Sequence, residues 1–245
     1  MPLVRRPDAA RLPPPVRETL RHLAAHPRVG LAILSGRSLL DLRHRVCLRG
    51  ILYGGCHGLE IDGPGLRFRH PLAPGHRLRI RRATAALGAM LPRFPGARLE
   101  PKGLALAVHY RGLSPSRRAA LYRRVKRVAA QAVLTILPGK KVWDLVPPGH
   151  RGKAKALRLI RDCLKTRVRG GPLLTLYAGD DATDAEAFRA LPPRALGIQV
   201  GGVRGPADFR LRNVPKVHAL LRWIAERIAS PSASSMPPAA PSSCP

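Results

Sequence analysis

Short apolar runs alternate with amphipathic stretches along most of this chain, and the period switches between the two. Residues 13–26 read as a helix: Val16, Leu20, Leu23 and Ala24 share one face, and Pro14 and Pro15 suit its first turn. Val29–Leu34 is a continuous apolar run ending in Ser35-Gly36-Arg37, which predicts a buried strand entering a tight turn. A helix over Ser38–Arg45 follows. Ile51–Tyr53 predicts another strand leading into Gly54-Gly55-Cys56-His57-Gly58, and Asp62-Gly63-Pro64-Gly65 joins two short strands as a hairpin. Helix, buried strand, helix, buried strand is the rhythm of an α/β fold with a parallel sheet.

The middle of the chain breaks that rhythm. His76–Leu91 and Ser114–Gln131 are helical, with Ser114 or Ser116 available as a cap, and Gly103–Arg111 alternates as a strand does. Val133–Leu137 and Lys141–Val146 predict a hairpin closed by Pro138-Gly139, so this block reads as an α+β insertion. After Pro147-Pro148-Gly149 the first pattern resumes. Ala154–Lys165 predicts a helix burying Leu157, Ile160 and Leu164, and Leu173–Ala178 a strand ending at Gly179-Asp180-Asp181. Thr183–Leu191 predicts a helix with Thr183 and Glu186 as a capping box, followed by a strand at Ile198–Val200 and a closing helix over Val214–Ile228. Ser230–Pro245, rich in Ser, Pro and Ala, predicts a disordered tail.

Composition adds one surprise. Apolar residues are 45% of the 245, enough for a core, yet 44 basic residues face 14 acidic ones, a formal charge of +30. Of the basic residues 36 are arginine and 8 lysine, spread over helices, strands and tail, and aromatic residues are 4%. That predicts salt-sensitive attraction to polyanions and no specific nucleic-acid partner. No apolar run is long enough to span a bilayer and Met1–Pro15 has no signal-peptide core, so the expected location is the cytoplasm. Cys47, Cys56, Cys163 and Cys244 lack metal or redox spacing and read as single reduced thiols.

Against that background, Asp180, Asp181 and Asp184 stand out: three carboxylates between a buried strand and a helix, at the carboxyl edge of a sheet. Hard oxygen ligands so grouped suit Mg²⁺, the alternative being acids that merely cap the helix. Ser35, between strand and helix, can accept a phosphate or simply cap. Lys153 opens a helix, where a cation opposes the helix dipole but can grip an anion.

Ser-Gly-Arg after one strand, a lysine at a helix start and Gly-Asp-Asp after a later strand resemble three ordered motifs of haloacid-dehalogenase phosphatases. The stretches "AILSGRSLLDL", "YGGCHGLEI", "LEPKGLALAVHYR" and "YAGDDATDAEAF" are similar to segments of trehalose-6-phosphate phosphatases. The resemblance implies a haloacid-dehalogenase-like Rossmannoid core over 1–75 and 147–229, lacking its first strand, with an α+β cap at 76–146. It implies Mg²⁺ held by Asp180 and Asp184, directly or through water, with Asp181 beside them, and phosphate on Ser35 and Lys153. Arg37, His57, Glu60, Lys102, His109, Arg111 and Asp144 would contact the sugar, trehalose 6-phosphate being the substrate. Strict alternation sets Lys102 apart from His109 and Arg111, so a bulge or strand end must intervene. The family's Asp-x-Asp, its nucleophile and general acid/base, occurs nowhere in these residues. The expectation is therefore a truncated, inactive and poorly stable chain.

Overall fold

A computed structural model describes residues 12–72, 74–150, 152–168, 172–202 and 205–229. The predicted tail and the segment before Leu12 lie outside the described residues.

Helix α1 (Pro14–Ala25) leads to strand β1 (Ala32–Leu34), helix α2 (Leu39–Val46) and strand β2 (Leu52–Gly55). Ser38 caps α2, its hydroxyl accepting from Asp41 N–H at 3.2 Å. β1 and β2 are parallel; β3 (Glu60–Gly63) and β4 (Leu66–Arg69) add antiparallel strands in the order β1-β2-β3-β4. Val16, Leu20 and Leu23 pack with Leu42, Val46, Ile51 and Tyr53, while Ala156 and Ile160 bury Leu52 and Ile61 on another side.

The middle of the chain forms a second unit. Helices α3 (His76–Met90) and α4 (Pro115–Gln131) cover one face of a four-stranded antiparallel sheet, order β5-β6-β8-β7. Its strands are β5 (Arg98–Pro101), β6 (Leu106–His109), β7 (Thr135–Gly139) and β8 (Val142–Val146). Ile80, Leu87, Leu121 and Val125 from the helices meet Leu106, Val108, Trp143 and Leu145 from the sheet. Alternation then sends Ala105, Ala107, Asp144 and Val146 to the opposite face. The β7–β8 hairpin is present but turns at Lys140-Lys141, with Lys141 at φ 64°. Pro138 and Gly139, predicted to close it, are paired with Trp143 and Val142 inside the ladder.

Helix α5 (Gly152–Arg167), strand β9 (Leu176–Gly179), helix α6 (Asp184–Arg189), strand β10 (Leu196–Val200), strand β11 (Phe209–Leu211) and helix α7 (Val214–Ala229) complete the chain. β11, β10 and β9 form an all-parallel sheet in that order. β11 was not foreseen, since three residues with exposed Phe209 carry no periodicity. Leu164, predicted buried, is only partly so.

Among the described residues the α/β fold contains two separate sheets with parallel pairing, and each has an end strand with a partner on one side: β1 in one, β9 in the other. All of β2 is buried, whereas Ala32, Ile33 and Leu34 of β1 are half-buried and Leu176 of β9 is 37% exposed. Both strands are shorter than their apolar runs, Ala32–Leu34 against Val29–Leu34 and Leu176–Gly179 against Leu173–Ala178.

Candidate active site

Two clusters gather nearly all the buried polar side chains. The first lies at the end of β9. Asp184, 2% exposed at the start of α6, has its Oδ1 2.6 Å from Lys153 Nζ and accepts the Tyr177 hydroxyl at 2.6 Å. Its Oδ2 accepts Asp181 N–H at 2.9 Å, the reciprocal half of a capping box two residues earlier than predicted. Thr183 is helical and its buried hydroxyl has no partner among the described residues, so the Thr183–Glu186 box is not formed. A Cβ at Gly179 would collide with the Asp184 carboxylate, which accounts for glycine at that step. Burial and hydrogen bonding to the Asp184 carboxylate push the Tyr177 phenol up.

Burial, together with the Asp184 and Asp180 charges, raises Asp181 above the ordinary carboxylate range despite the Ala182 N–H and Lys153. Crowded acids of this kind accommodate a cation. Asp180 is exposed and has no partner among the described residues, and Asp181 keeps one oxygen uncommitted, so these two fit a magnesium ion that retains waters. Asp184 is held by lysine and tyrosine on Oδ1 and by a backbone amide on Oδ2, an arrangement that suits contact with the ion through water. No group of three or more His, Cys, Asp or Glu among the described residues is arranged around a metal position.

The second cluster joins the two units. Lys102 Nζ reaches Asp144 Oδ1 at 2.6 Å and the Gly36 carbonyl at 2.7 Å, and His57 Nε2 lies 3.0 Å from Asp144 Oδ2. Asp144 is 3% exposed, His57 4% and Lys102 7%. Burial opposes the Asp144 charge, but His57 and Lys102 outweigh it and hold the carboxyl down at about 2. The chain has a tight route here. His57 sits at φ 57° in the 3-10 turn Cys56–Gly58, and a Cβ on Gly36 would stand 2.6 Å from its ring. Lys102 lies beyond the end of β5, in a turn closed by Lys102 N–H to Ala105 at 2.8 Å, so a strand end reconciles it with the alternation.

Ser35 stands beside this seam: its N–H bonds Gly54, its carbonyl accepts from His57 N–H, and its hydroxyl accepts Arg37 N–H at 3.2 Å. Arg37 is turned to Asp41 at 2.7 Å. His109 pairs with Glu100 at 2.7 Å, Arg111 is exposed just past β6, and Glu60 is held by Arg69 at 2.9 Å within its own hairpin. Glu100 is a residue that sequence reasoning missed, although it stands in the quoted "LEPKG". Burial raises its pKa, but His109, Lys102 and Arg37 together bring it below the ordinary value. Also unforeseen were His70 and His150, one on each connection between the units, with rings 6.2 Å apart. Burial and the neighbouring His57 and His70 pull His150 down to about 4.

This arrangement can be set beside known proteins. Residues 1–208 match the sequence model of the trehalose-phosphatase family. The chain belongs to that family. A trehalose-phosphate phosphatase of Mycobacterium tuberculosis is 36% identical over 199 residues, which are 81% of this chain and 50% of the relative. An uncharacterized glycosyl hydrolase of the same species is 38% identical over 216 residues, 85% of this chain but 16% of the relative. The chain thus spans about half the length of the phosphatase relatives it matches. Two solved structures share the fold. One is a trehalose-6-phosphate phosphatase related protein, with a TM-score of 0.79 and 24% identity over 92% of this chain and 93% of that one. The other is the C. albicans trehalose-6-phosphate phosphatase C-terminal domain, with a TM-score of 0.77 and 20% identity over 92% and 88%. Trehalose-phosphatase membership accounts for the order of the motifs. Among the described residues no helix is long and apolar enough to cross a membrane.

Proposed function

We propose that the protein from which this sequence comes is a cytoplasmic, Mg²⁺-dependent phosphatase that hydrolyses trehalose 6-phosphate to trehalose and phosphate. The observation that carries this reading is the seam. A buried carboxylate of the α+β unit is locked to His57 of the core, while Lys102 of the same unit reaches the backbone between Ser35 and Arg37. Family membership and the lysine–carboxylate cluster at the end of β9 support it.

In this reading Asp180 and Asp181 hold the ion, and Lys153 and Tyr177 orient Asp184 behind them. Bound Mg²⁺ would neutralise charge on the phosphate oxygens. Lys153, already at the start of α5, carries the cation that meets the phosphoryl group, and the Ser35 hydroxyl offers a second hydrogen bond. Residues 76–146 act as the cap: Lys102, His109 and Asp144, with Glu100 and Arg111, read the sugar hydroxyls. Closure on the seam excludes water.

The nucleophile and the general acid/base belong to an Asp-x-Asp that these residues do not contain. Among the described residues β1 and β9 each pair on one side only, and the edges so left offer the place for a strand carrying it. The 245 residues alone are then inactive. Phosphate release from trehalose 6-phosphate with Mg²⁺ tests this, comparing the 245-residue chain with one extended upstream in its genomic reading frame. Turnover by the extended form only is the expected result. An upstream frame without Asp-x-Asp, or an extended protein that releases no phosphate, would remove the phosphatase reading.

A further inference from the structure

We propose that the outer face of the α+β unit, formed by α3 and α4, binds the phosphate backbone of duplex nucleic acid without reading its sequence. Nothing in this rests on the phosphatase reading or on the residues that reading uses.

Charge is divided unequally between the two units. In the core, five arginines find carboxylates close by: Arg37 and Arg45 share Asp41, Arg43 and Arg67 share Asp62, and Arg69 holds Glu60. Residues 76–146 contain sixteen Lys or Arg and only two acids, Glu100 and Asp144. Asp144 is spent on Lys102 and His57 at the seam, and Glu100 on His109. Helices α3 and α4 together carry ten of the cations and no acid at all. Among the described residues none of the ten has a carboxylate within ion-pair distance, and all but the half-buried Arg79 are exposed.

What looks scattered along the chain is therefore one surface. The apolar faces of α3 and α4 are both buried on the same sheet, so their basic faces must point away from it together. Arg77 with Arg81, and Arg123 with Arg127, stand at i,i+4, where like charges destabilise the helix that carries them. A bound polyanion turns that repulsion into attraction. The surface also has a concave place for a phosphate: a cavity of about 260 Å³ lined by Phe94, Ala120, Arg123, Arg124 and Arg127.

Extent and texture select the partner. From Arg117 to Arg127 the charges run about 15 Å along α4, the length of several successive phosphates rather than one small anion. Lying on a bilayer would require an apolar stripe, yet Leu78 and Tyr122 are the exposed large hydrophobics on these helices, and Tyr122 is set against Trp143. Unpaired bases would need a row of open aromatic platforms, and this face offers Tyr122, set against Trp143, and the half-buried Phe94. A duplex backbone needs only the cations.

Fluorescence anisotropy of a labelled DNA duplex, titrated with the 245-residue chain across a salt series, tests the proposal. The triple variant R123Q/R124Q/R127Q is expected to weaken binding at least about tenfold at low salt. It should also reduce the slope of log K against log salt by about 2–3, at about 0.9 for each phosphate no longer neutralised. The control R17Q/R212Q/K216Q removes the same charge from exposed positions of the core and should change affinity less than about twofold. Equal weakening by both triples would reduce the effect to net charge and overturn the proposal, as would no weakening by either. Binding to phosphatidylserine vesicles but not to the duplex would overturn it in favour of a membrane surface. Glutamine is a good helix former, and circular dichroism of each variant checks that α3 and α4 persist.

Discussion

Removing the charge of Asp144 should unfasten the α+β unit from the core. Its carboxylate is 3% exposed and meets two buried partners, the Lys102 ammonium at 2.6 Å and the His57 imidazole at 3.0 Å. Holding the group at about 2, against 3.8 for a free aspartate, corresponds to about 2 kcal/mol of native-state stability. The folded value is the lower one, so this stabilisation is fully present above pH about 4 and drains away as pH falls towards 2. D144N removes the charge and keeps the shape, and should cost about 2–3 kcal/mol. D144A also takes away the hydrogen-bonding side chain and leaves the buried Lys102 ammonium with the Gly36 carbonyl but no counter-charge, and should cost about 3–5 kcal/mol. Trp143, next along β8 and stacked on Tyr110 at 4.0 Å, supplies the signal. Urea unfolding followed by tryptophan fluorescence at neutral pH should show the midpoint falling at unchanged slope. Because an unpaired buried charge is the main penalty, D144N/K102M should recover about half of the destabilisation. A D144N cost below about 0.5 kcal/mol, or a double variant no better than D144N, would refute the reasoning.

Other expectations follow from individual side chains. Y177F deletes one of the donors to Asp184 and should cost about 1–2 kcal/mol in urea unfolding; an unchanged midpoint would mean that Lys153 and the Asp181 N–H suffice to fix the carboxylate. G36A places a methyl against the His57 ring, and should destabilise by about 1–3 kcal/mol and displace the imidazole from Asp144, measured by urea unfolding and by the His57 ring resonances in NMR. Cys56 is fully buried and its thiol is pushed up to about 12, chiefly by burial. It should stay unlabelled by a thiol reagent in the native chain, while exposed Cys47 reacts; mass spectrometry of labelled peptides distinguishes them.

Much of this protein was legible in the sequence because it depends on local physics. Hydrophobic period placed the seven α-helices of the described residues to within about two or three residues, and Ser38 and Ser114 cap α2 and α4 as hydroxyls at such positions do. The four quoted stretches carried the family, and residues 1–208 do match its model. Local chemistry failed where two rules competed. At the end of β9, Asp184 reached back to Asp181 and displaced the Thr183 cap. In the β7–β8 hairpin, strand pairing drew Pro138 and Gly139 into the ladder and moved the turn to the lysines.

Tertiary structure alone decided the rest, because these features depend on residues far apart in the chain. Asp144 meets His57 across 87 positions, and Lys102 meets Gly36 across 66, so no window of sequence contains either pair. Lys153 is a capping anomaly in the sequence and becomes the partner of Asp184 only when α5 packs beside α6. The end positions of β1 and β9 in their sheets, among the described residues, are likewise invisible along the chain, since an apolar run says that a strand forms but not how many neighbours it finds. The arginines show the same division most plainly. Their number was fixed by composition, but whether they are neutralised depends on which carboxylates the fold brings within a few ångströms. In this fold the acids went to the core and the seam, and α3 and α4 were left with none.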